Sequence, residues 1–294
     1  MRSLRASTLL AFALLLPAAT TAQTTTTPPP DQTAAQPPAP APVQPPAEQS
    51  DPDLRVDPLQ PDFNLVALPT TLRLPAQKLS FRVTHRFTRS LGEGDFGDLL
   101  SNFLTFDSSA RVGLELRYGL RPGTQIGVRR TSDRSIELFG QQNLLNERSG
   151  HPMGLDALVT FEGEDNLHRH PQSAVGLVAS RSAGTRAALY VEPLYVINSN
   201  DAVPGAANST LMVGLGARVR VRPSTYISAE VTPRVAGFDP GTHQVSFALE
   251  GRAGGHLFQV NVSNGFGTTL GQLARGGVSR DSWYLGFNIA RKFF

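Results

Sequence analysis

Charged residues recur at alternate positions in several segments of the chain, and this spacing is the feature best able to support chemistry. Alternate residues of a β-strand share one face, so these side chains gather on one surface. Such a surface can attract ions, pair internally or bind a partner. The candidates for this surface are Arg82, Arg86, Arg111, Glu115, Arg117, Arg129, Arg218, Arg220, Glu230, Glu250 and Arg252.

A second group combines carboxylates with imidazoles near one loop, and such ligands can bind a divalent ion. Its spacing matches no strong metal motif, which favours a solvated polar loop. Its members are Glu162, Glu164, Asp165, His168 and His170. The chain has no cysteine and no Gly-x-Ser-x-Gly pattern. We therefore predict no catalytic, cofactor-binding or metal-ligating residue.

The elements that position these residues follow a period of two from Lys78 to the end of the chain. Apolar and polar residues alternate in segments of about 10 residues, as in the strands of a membrane barrel. In the second segment Leu114 and Leu116 alternate with Glu115 and Arg117. The pattern predicts about 12 strands, an even number as in single-chain bacterial barrels. The fourth strand, near 135–145, has an ambiguous facing.

Predicted connections alternate in length, with tight turns such as Arg121–Gly123 and longer loops such as Gly265–Ser282. Short turns on one side and long loops on the other are the barrel arrangement, with short turns in the periplasm. A short third connection near Asp133 departs from the pattern. A soluble β-sandwich would also alternate, but so many long strands favour the barrel.

The N-terminus indicates secretion. Arg2 and Arg5 precede an apolar run of about 10 residues and a small-residue site after Ala22, typical of a signal peptide. Proline, threonine and alanine dominate the next stretch, which is typical of an extended linker. The predicted domains are a signal peptide at 1–22, a disordered periplasmic linker at 23–75 and an outer-membrane barrel at 76–294.

The fold class is thus all-β: a transmembrane antiparallel up-and-down barrel behind a disordered Pro-rich linker. Its last apolar register ends on Phe293 and leaves Phe294 on the opposite face. Net charge falls from +3 to +1 when Arg2 and Arg5 leave with the signal. This small excess, without a basic run that contains interleaved aromatic residues, argues against nucleic-acid binding.

Several segments together resemble an uncharacterised family of bacterial outer-membrane β-barrel proteins. The resemblance covers about Leu72 to Phe294. It rests on Thr84–Phe87, Phe106–Ala110, Leu116–Leu120, Gly254–Gln259, Ser263–Asn264 and Leu285–Phe293. It implies a barrel and its location, and it brings no known substrate, activity or catalytic residue.

The strand register directs ten basic and six acidic side chains to the barrel interior, because an arginine on the lipid face costs about 2–4 kcal/mol. The basic residues are Lys78, Arg82, Arg86, Arg111, Arg117, Arg129, Arg186, Arg218, Arg220 and Arg252, and the acidic ones Glu115, Asp156, Glu162, Glu192, Glu230 and Glu250. A passive pore with a weak anion preference and a closed barrel filled by salt bridges both fit this charge.

The leading expectation for function is the pore for small solutes. The closed structural or partner-binding barrel is its alternative, and an outer-membrane hydrolase comes third. We expect the barrel to contact outer-membrane lipid and the barrel-insertion machinery. The linker offers a contact to the cell wall or a periplasmic protein.

Overall fold

The computed structural model describes residues 57–101, 105–106, 108–200 and 208–294. The strands are β1 (Leu79–Ser90), β2 (Ala110–Arg121), β3 (Thr124–Thr131), β4 (Ile136–Leu145), β5 (Gly154–Gly163), β6 (Arg169–Ala183), β7 (Ala187–Ile197), β8 (Ser209–Arg222), β9 (Thr225–Thr232), β10 (Arg234–Gly237), β11 (Gln244–Ala253), β12 (His256–Ser263) and β13 (Tyr284–Lys292). The helices are α1 (Phe96–Ser101), α2 (Glu164–Leu167) and α3 (Leu270–Arg275), with a 3-10 turn at Glu147–Ser149.

The strands form one closed antiparallel barrel. Consecutive strands pair from β1 to β9 and from β11 to β13, β9 pairs with β11, and β1 pairs with β13. The strands β9 and β10 both pair with β8 and are halves of one strand interrupted at Pro233, which lacks a backbone donor. The barrel therefore has 12 strands, which confirms the predicted fold class.

Apolar side chains cover the outer face of the barrel, as the alternation predicts. Leu116, Val159, Val191, Leu249 and Val260 are all exposed there in the isolated chain. Aliphatic side chains at these positions suit a hydrocarbon environment. No helix in the described residues is long and apolar enough to cross a membrane.

Short turns lie at one end of the barrel and longer loops at the other. The tight turns include Gly123, Gly184 and Gly254, whose positive φ angles of 77°, 64° and 56° suit glycine. At the other end the connection from β12 to β13 contains α3. The two ends are called the short-turn rim and the long-loop rim below.

The N-terminal boundary of the barrel differs from the prediction. Residues 57–75 were assigned to the disordered linker, yet in the structure they lie inside the barrel, with Leu65 and Leu68 fully buried. This segment carries apolar side chains, which a solvated linker would expose to water. Their burial inside the barrel is favourable because it removes this apolar surface from water. The predicted signal peptide and the linker up to residue 56 lie outside the described residues.

The C-terminal Phe294 lies on the inner side of the barrel. Its ring packs against a buried cluster formed by Phe63, Leu72 and Leu74 of the N-terminal segment, whereas Phe293 is exposed on the outer face. The change of face at the last residue therefore reflects contact with the N-terminal segment.

Candidate functional site

The barrel interior is occupied by residues 57–76, called the plug. Its centre is a tight turn: Asn64 and Pro69 form an antiparallel bridge, the Leu65 amide donates to the Leu68 carbonyl (2.8 Å) and the Thr70 amide donates to the Phe63 carbonyl (2.8 Å). The turn leaves other backbone groups without partners in the plug itself. Buried backbone groups need hydrogen bonds, so the barrel wall must supply them.

Glu230 on β9 binds the tip of this turn. Its carboxylate accepts hydrogen bonds from the amides of Val66, Ala67 and Leu68, all at 3.0 Å. Successive amides that converge on one anion form a nest, and hydrogen bonds to a charged acceptor are stronger than neutral ones. The carboxylate of Glu230 therefore holds three consecutive plug residues.

Two arginines of the barrel wall bind the plug carbonyls. Arg82 donates to the Val66 carbonyl (2.9 Å) and forms an ion pair with Asp62. Arg218 donates to the Asn64 carbonyl at 2.7 Å. These two donors come from β1, at the closure with β13, and from β8, which pairs with the strand that carries Glu230.

Amide side chains continue the binding. Gln259 donates to the Leu65 carbonyl (3.0 Å) and Asn288 to the Val66 carbonyl (3.3 Å). Near the end of the plug that leads into β1, the Leu72 carbonyl accepts from Gln125 of β3 (3.2 Å), and the Leu74 amide donates to the same side chain (3.1 Å). These side chains act as hydrogen-bonding partners for a segment that has no neighbouring strand.

The opposite side of the plug is apolar. Leu65, Ala67 and Leu68 join one buried cluster with inward side chains of β5 to β8, including Leu194 and Met212. Burial of a leucine side chain contributes about 1.5–3 kcal/mol. The plug thus has a polar side facing the charged wall and an apolar side facing β5 to β8.

Two glycines on the inner face of β8 make room for the plug. A Cβ atom at Gly216 would lie 2.2 Å from Cδ1 of Leu65, and one at Gly214 would lie 2.9 Å from Cδ2 of Leu68. Any larger residue at position 216 would overlap the plug. These glycines are therefore matched to the plug in its observed position.

An ion network lies beside the plug on β2 to β4. Arg129 bridges Glu115 and Glu137 with nitrogen–oxygen distances of 2.6 Å, and Arg117 pairs with Glu115 at 2.9 Å. Asn64 of the plug donates to Glu115 at 3.2 Å. Because all these ionic side chains are buried, each depends on its partners for compensation of its charge.

The loop between β12 and β13 closes the interior from the long-loop rim. Leu270, Leu273 and Ala274 of α3 are buried in the same apolar cluster as the plug. The Leu270 amide donates to Glu137 (3.0 Å), and the Gly271 amide donates to Glu162 (3.1 Å). The long connection predicted at Gly265–Ser282 therefore folds into the barrel.

The candidate surface residues divide into two sets. Eight are buried inside the barrel: Arg82, Arg86, Glu115, Arg117, Arg129, Arg218, Glu230 and Glu250. Three lie at the rims. Arg111 pairs with Asp133 at the long-loop rim (3.4 Å), and the partly exposed Arg220 and Arg252 lie at the short-turn rim.

Among the described residues, the buried charged side chains are seven basic and eight acidic. They are Arg82, Arg86, Arg117, Arg129, Arg218, Arg234 and Lys292, and Asp62, Glu115, Glu137, Asp156, Glu162, Glu192, Glu230 and Glu250. The positive excess inferred from the register is thus absent at mid-barrel. Asp62, Glu137, Arg234 and Lys292 were missed. Alternation alone could have located Lys292, whereas the plug position of Asp62 had no sequence signal.

The loop group of carboxylates and imidazoles is dispersed into separate contacts. Glu162 binds α3, Glu164 pairs with Arg275 (2.9 Å) and Asp165 pairs with Arg134 (2.9 Å). The described residues contain no group of three or more histidines and carboxylates placed to hold a metal ion.

One loop carboxylate has a perturbed pKa. In the loop after β10, Asp239 accepts from the Gly241 amide (2.9 Å) and from Arg234 (2.9 Å), and these bonds lower the pKa of Asp239. The favoured charged form of Asp239 helps to order this loop.

A known protein family matches both the barrel and most of the plug. The family described as a membrane bound beta barrel domain matches residues 62–293, which include the plug from Asp62 onwards. The chain belongs to this family. This confirms the resemblance inferred from the sequence, and the description of the family gives the barrel as membrane bound.

The chain is similar in structure to solved outer-membrane barrels. The NanC porin is similar with a TM-score of 0.50 and 7% identity, over 74% of this chain and 100% of that chain. The KdgM porin in complex with disordered oligogalacturonate is similar with a TM-score of 0.46 and 8% identity, over 74% of this chain and 99% of that chain. Outer membrane phospholipase A from Escherichia coli is similar with a TM-score of 0.41 and 11% identity, over 74% of this chain and 90% of that chain. No curated protein matches the sequence.

Proposed function

We propose that the protein is a porin-like outer-membrane barrel for small solutes that is closed at rest by its plug and conducts when the plug leaves. The observation that carries this proposal is the nest at Glu230, which binds three plug amides. The polar wall holds the plug by hydrogen bonds. As the plug leaves, water can replace these hydrogen bonds one at a time, which suits a segment that is removed and rebound. A segment fixed only by apolar packing would lack such exchange.

Ion preference in the open state would arise at the short-turn rim. Departure of the plug removes Asp62 and leaves seven basic and seven acidic buried residues. A balanced lumen selects weakly, whereas Arg220 and Arg252 at the rim add positive charge. The weak anion preference predicted from the sequence is therefore assigned to this rim.

A second candidate is a permanently closed barrel with a structural or partner-binding role. The observation in its favour is closure from both ends, since α3 and the plug share one apolar cluster. Asp57, the first described residue, pairs with Arg148 at the short-turn rim (3.4 Å). The described part of the chain therefore begins at the short-turn rim, the side on which a periplasmic partner would bind.

The experiment that separates these candidates is single-channel conductance of the mature protein in a planar bilayer under a salt gradient. The intact chain should be silent for most of the recording, and a variant lacking residues 57–76 should give steady unitary steps. A folded, inserted deletion variant that stays silent would favour the permanently closed barrel.

A labelling measurement covers the case in which the deletion variant fails to insert. The chain has no cysteine, so Ala67→Cys introduces a single thiol at a buried plug position. A water-soluble maleimide should react slowly with this thiol and faster when the plug is weakened. Val159→Cys, on the lipid-facing surface, serves as the control and should not respond to plug variants.

A further inference from the structure

Three arginines converge at the short-turn rim between β7 and β8. Arg186, Arg220 and Arg222 line a cavity of about 230 Å³, and its other lining residues are Val221 and Pro223. No carboxylate forms an ion pair with these three guanidinium groups in the part of the chain that the structure describes. The positive charge of the cavity is therefore uncompensated by described residues.

The strand register forces two of these charges together. The β7–β8 ladder pairs Ala187 with Val219, and the Arg220 amide donates to the Arg186 carbonyl at 2.6 Å. Arg186 and Arg220 therefore stand directly opposite each other on adjacent strands. Like charges in this position are destabilising. An anion between the two guanidinium groups would convert this repulsion into two attractions.

The orientation of Arg220 leaves it free to bind such an anion. Its only described side-chain hydrogen bond joins Nη2 to the Thr185 carbonyl (3.1 Å), which leaves further guanidinium donors. Arginine binds the oxygens of phosphate or carboxylate through paired N–H donors, which the single atom of a chloride ion does not match. Phosphate oxygens can also contact more than one guanidinium at once.

We propose that Arg186, Arg220 and Arg222 form a binding site for a phosphate group at the short-turn rim. The phosphate has two possible sources, an anionic phospholipid headgroup and free phosphate. Val221, exposed on the outer face and part of the cavity lining, offers an apolar contact that a lipid would use. The site does not require an open lumen, so binding can be tested without conduction, although Arg220 also belongs to the rim to which the ion preference is assigned.

The test uses the full mature chain in detergent and has two arms. Thermal unfolding in sodium phosphate is compared with sodium chloride at equal ionic strength. Native mass spectrometry then counts the phosphatidylglycerol molecules retained by the protein. The test variant is Arg186→Gln with Arg220→Gln. The control changes Arg121→Gln and Arg280→Gln, two exposed arginines outside the cavity.

The expected result is that the control behaves as the original chain, while the test variant binds phosphate or lipid about tenfold more weakly, given the strength of charge-assisted hydrogen bonds. Stabilisation by inorganic phosphate identifies free phosphate as the source, and lipid retention alone identifies the headgroup. Equal behaviour of the test variant and the original chain in both arms overturns the proposal. The β-sheet circular dichroism spectrum verifies that each variant is folded.

Discussion

The Glu230→Gln substitution tests the plug most directly. In the native chain one carboxylate accepts three amide hydrogen bonds from Val66, Ala67 and Leu68. Glutamine keeps one oxygen but places an NH₂ donor against amides that are themselves donors, and it removes the negative charge. The substitution is nearly equal in volume, so the surrounding packing is retained.

The magnitude follows from these bonds. A hydrogen bond to a charged group contributes about 1.5–3 kcal/mol, and an unpaired buried donor costs a similar amount. We take about 3 kcal/mol as the net loss, because the glutamine oxygen still accepts from some of the amides. At 1.4 kcal/mol per factor of ten, the population with the plug released rises by about 100-fold.

Hydrogen exchange on the folded protein in detergent measures this population. We expect protection of the amides at 66–68 to fall by about 100-fold, while strand amides on β6 and β7 keep theirs. Glu93→Gln, in the long loop after β1, is the matched control and should leave all rates unchanged. Unchanged protection in Glu230→Gln would refute the view that this carboxylate holds the plug.

Two further substitutions address the packing and the charge of the interior. Gly216→Val should displace the Leu65 side chain and raise the maleimide labelling of the Ala67→Cys thiol in the plug. Gly140→Val is the control and should leave the labelling unchanged, because a Cβ atom there meets nothing closer than 3.6 Å. Equal labelling of the two variants would contradict the steric argument. Arg129→Gln should lower the free energy of unfolding by about 3–5 kcal/mol in urea denaturation, since two buried carboxylates lose their shared cation. Unchanged stability there would mean that the network does not depend on Arg129.

The strands were predictable because their environment imposes a simple rule. Hydrocarbon on the outside requires apolar side chains at alternate positions, which are visible in all strands but β4, and glycine or proline marks most of the short turns. The ambiguity was confined to β4. There Leu138 faces out and Glu137 faces in, but Gly140 and Gln142 give the outer face little apolar character.

The position of the plug could not be predicted, because its apolar residues from Phe63 to Leu68 indicate burial but not the place where they are buried. Four prolines between residues 58 and 75 prevent a regular element, and the contacts of Val66 are with Glu230, 164 positions away. The rim arginines show a related limit. The alternation of polar and apolar residues predicts which face of the sheet Arg220 occupies. It does not predict how far along the barrel axis Arg220 lies, and the structure places it at the short-turn rim.

The attachment points of the plug have a consequence for how the barrel is assembled. Arg82 lies on β1, while Asn288 and Lys292 lie on β13, and all three bind plug backbone or Asp62. These are the strands that join the two ends of the sheet. The plug therefore links the two strands that close the barrel, so its binding and the closure of the sheet stabilise one another.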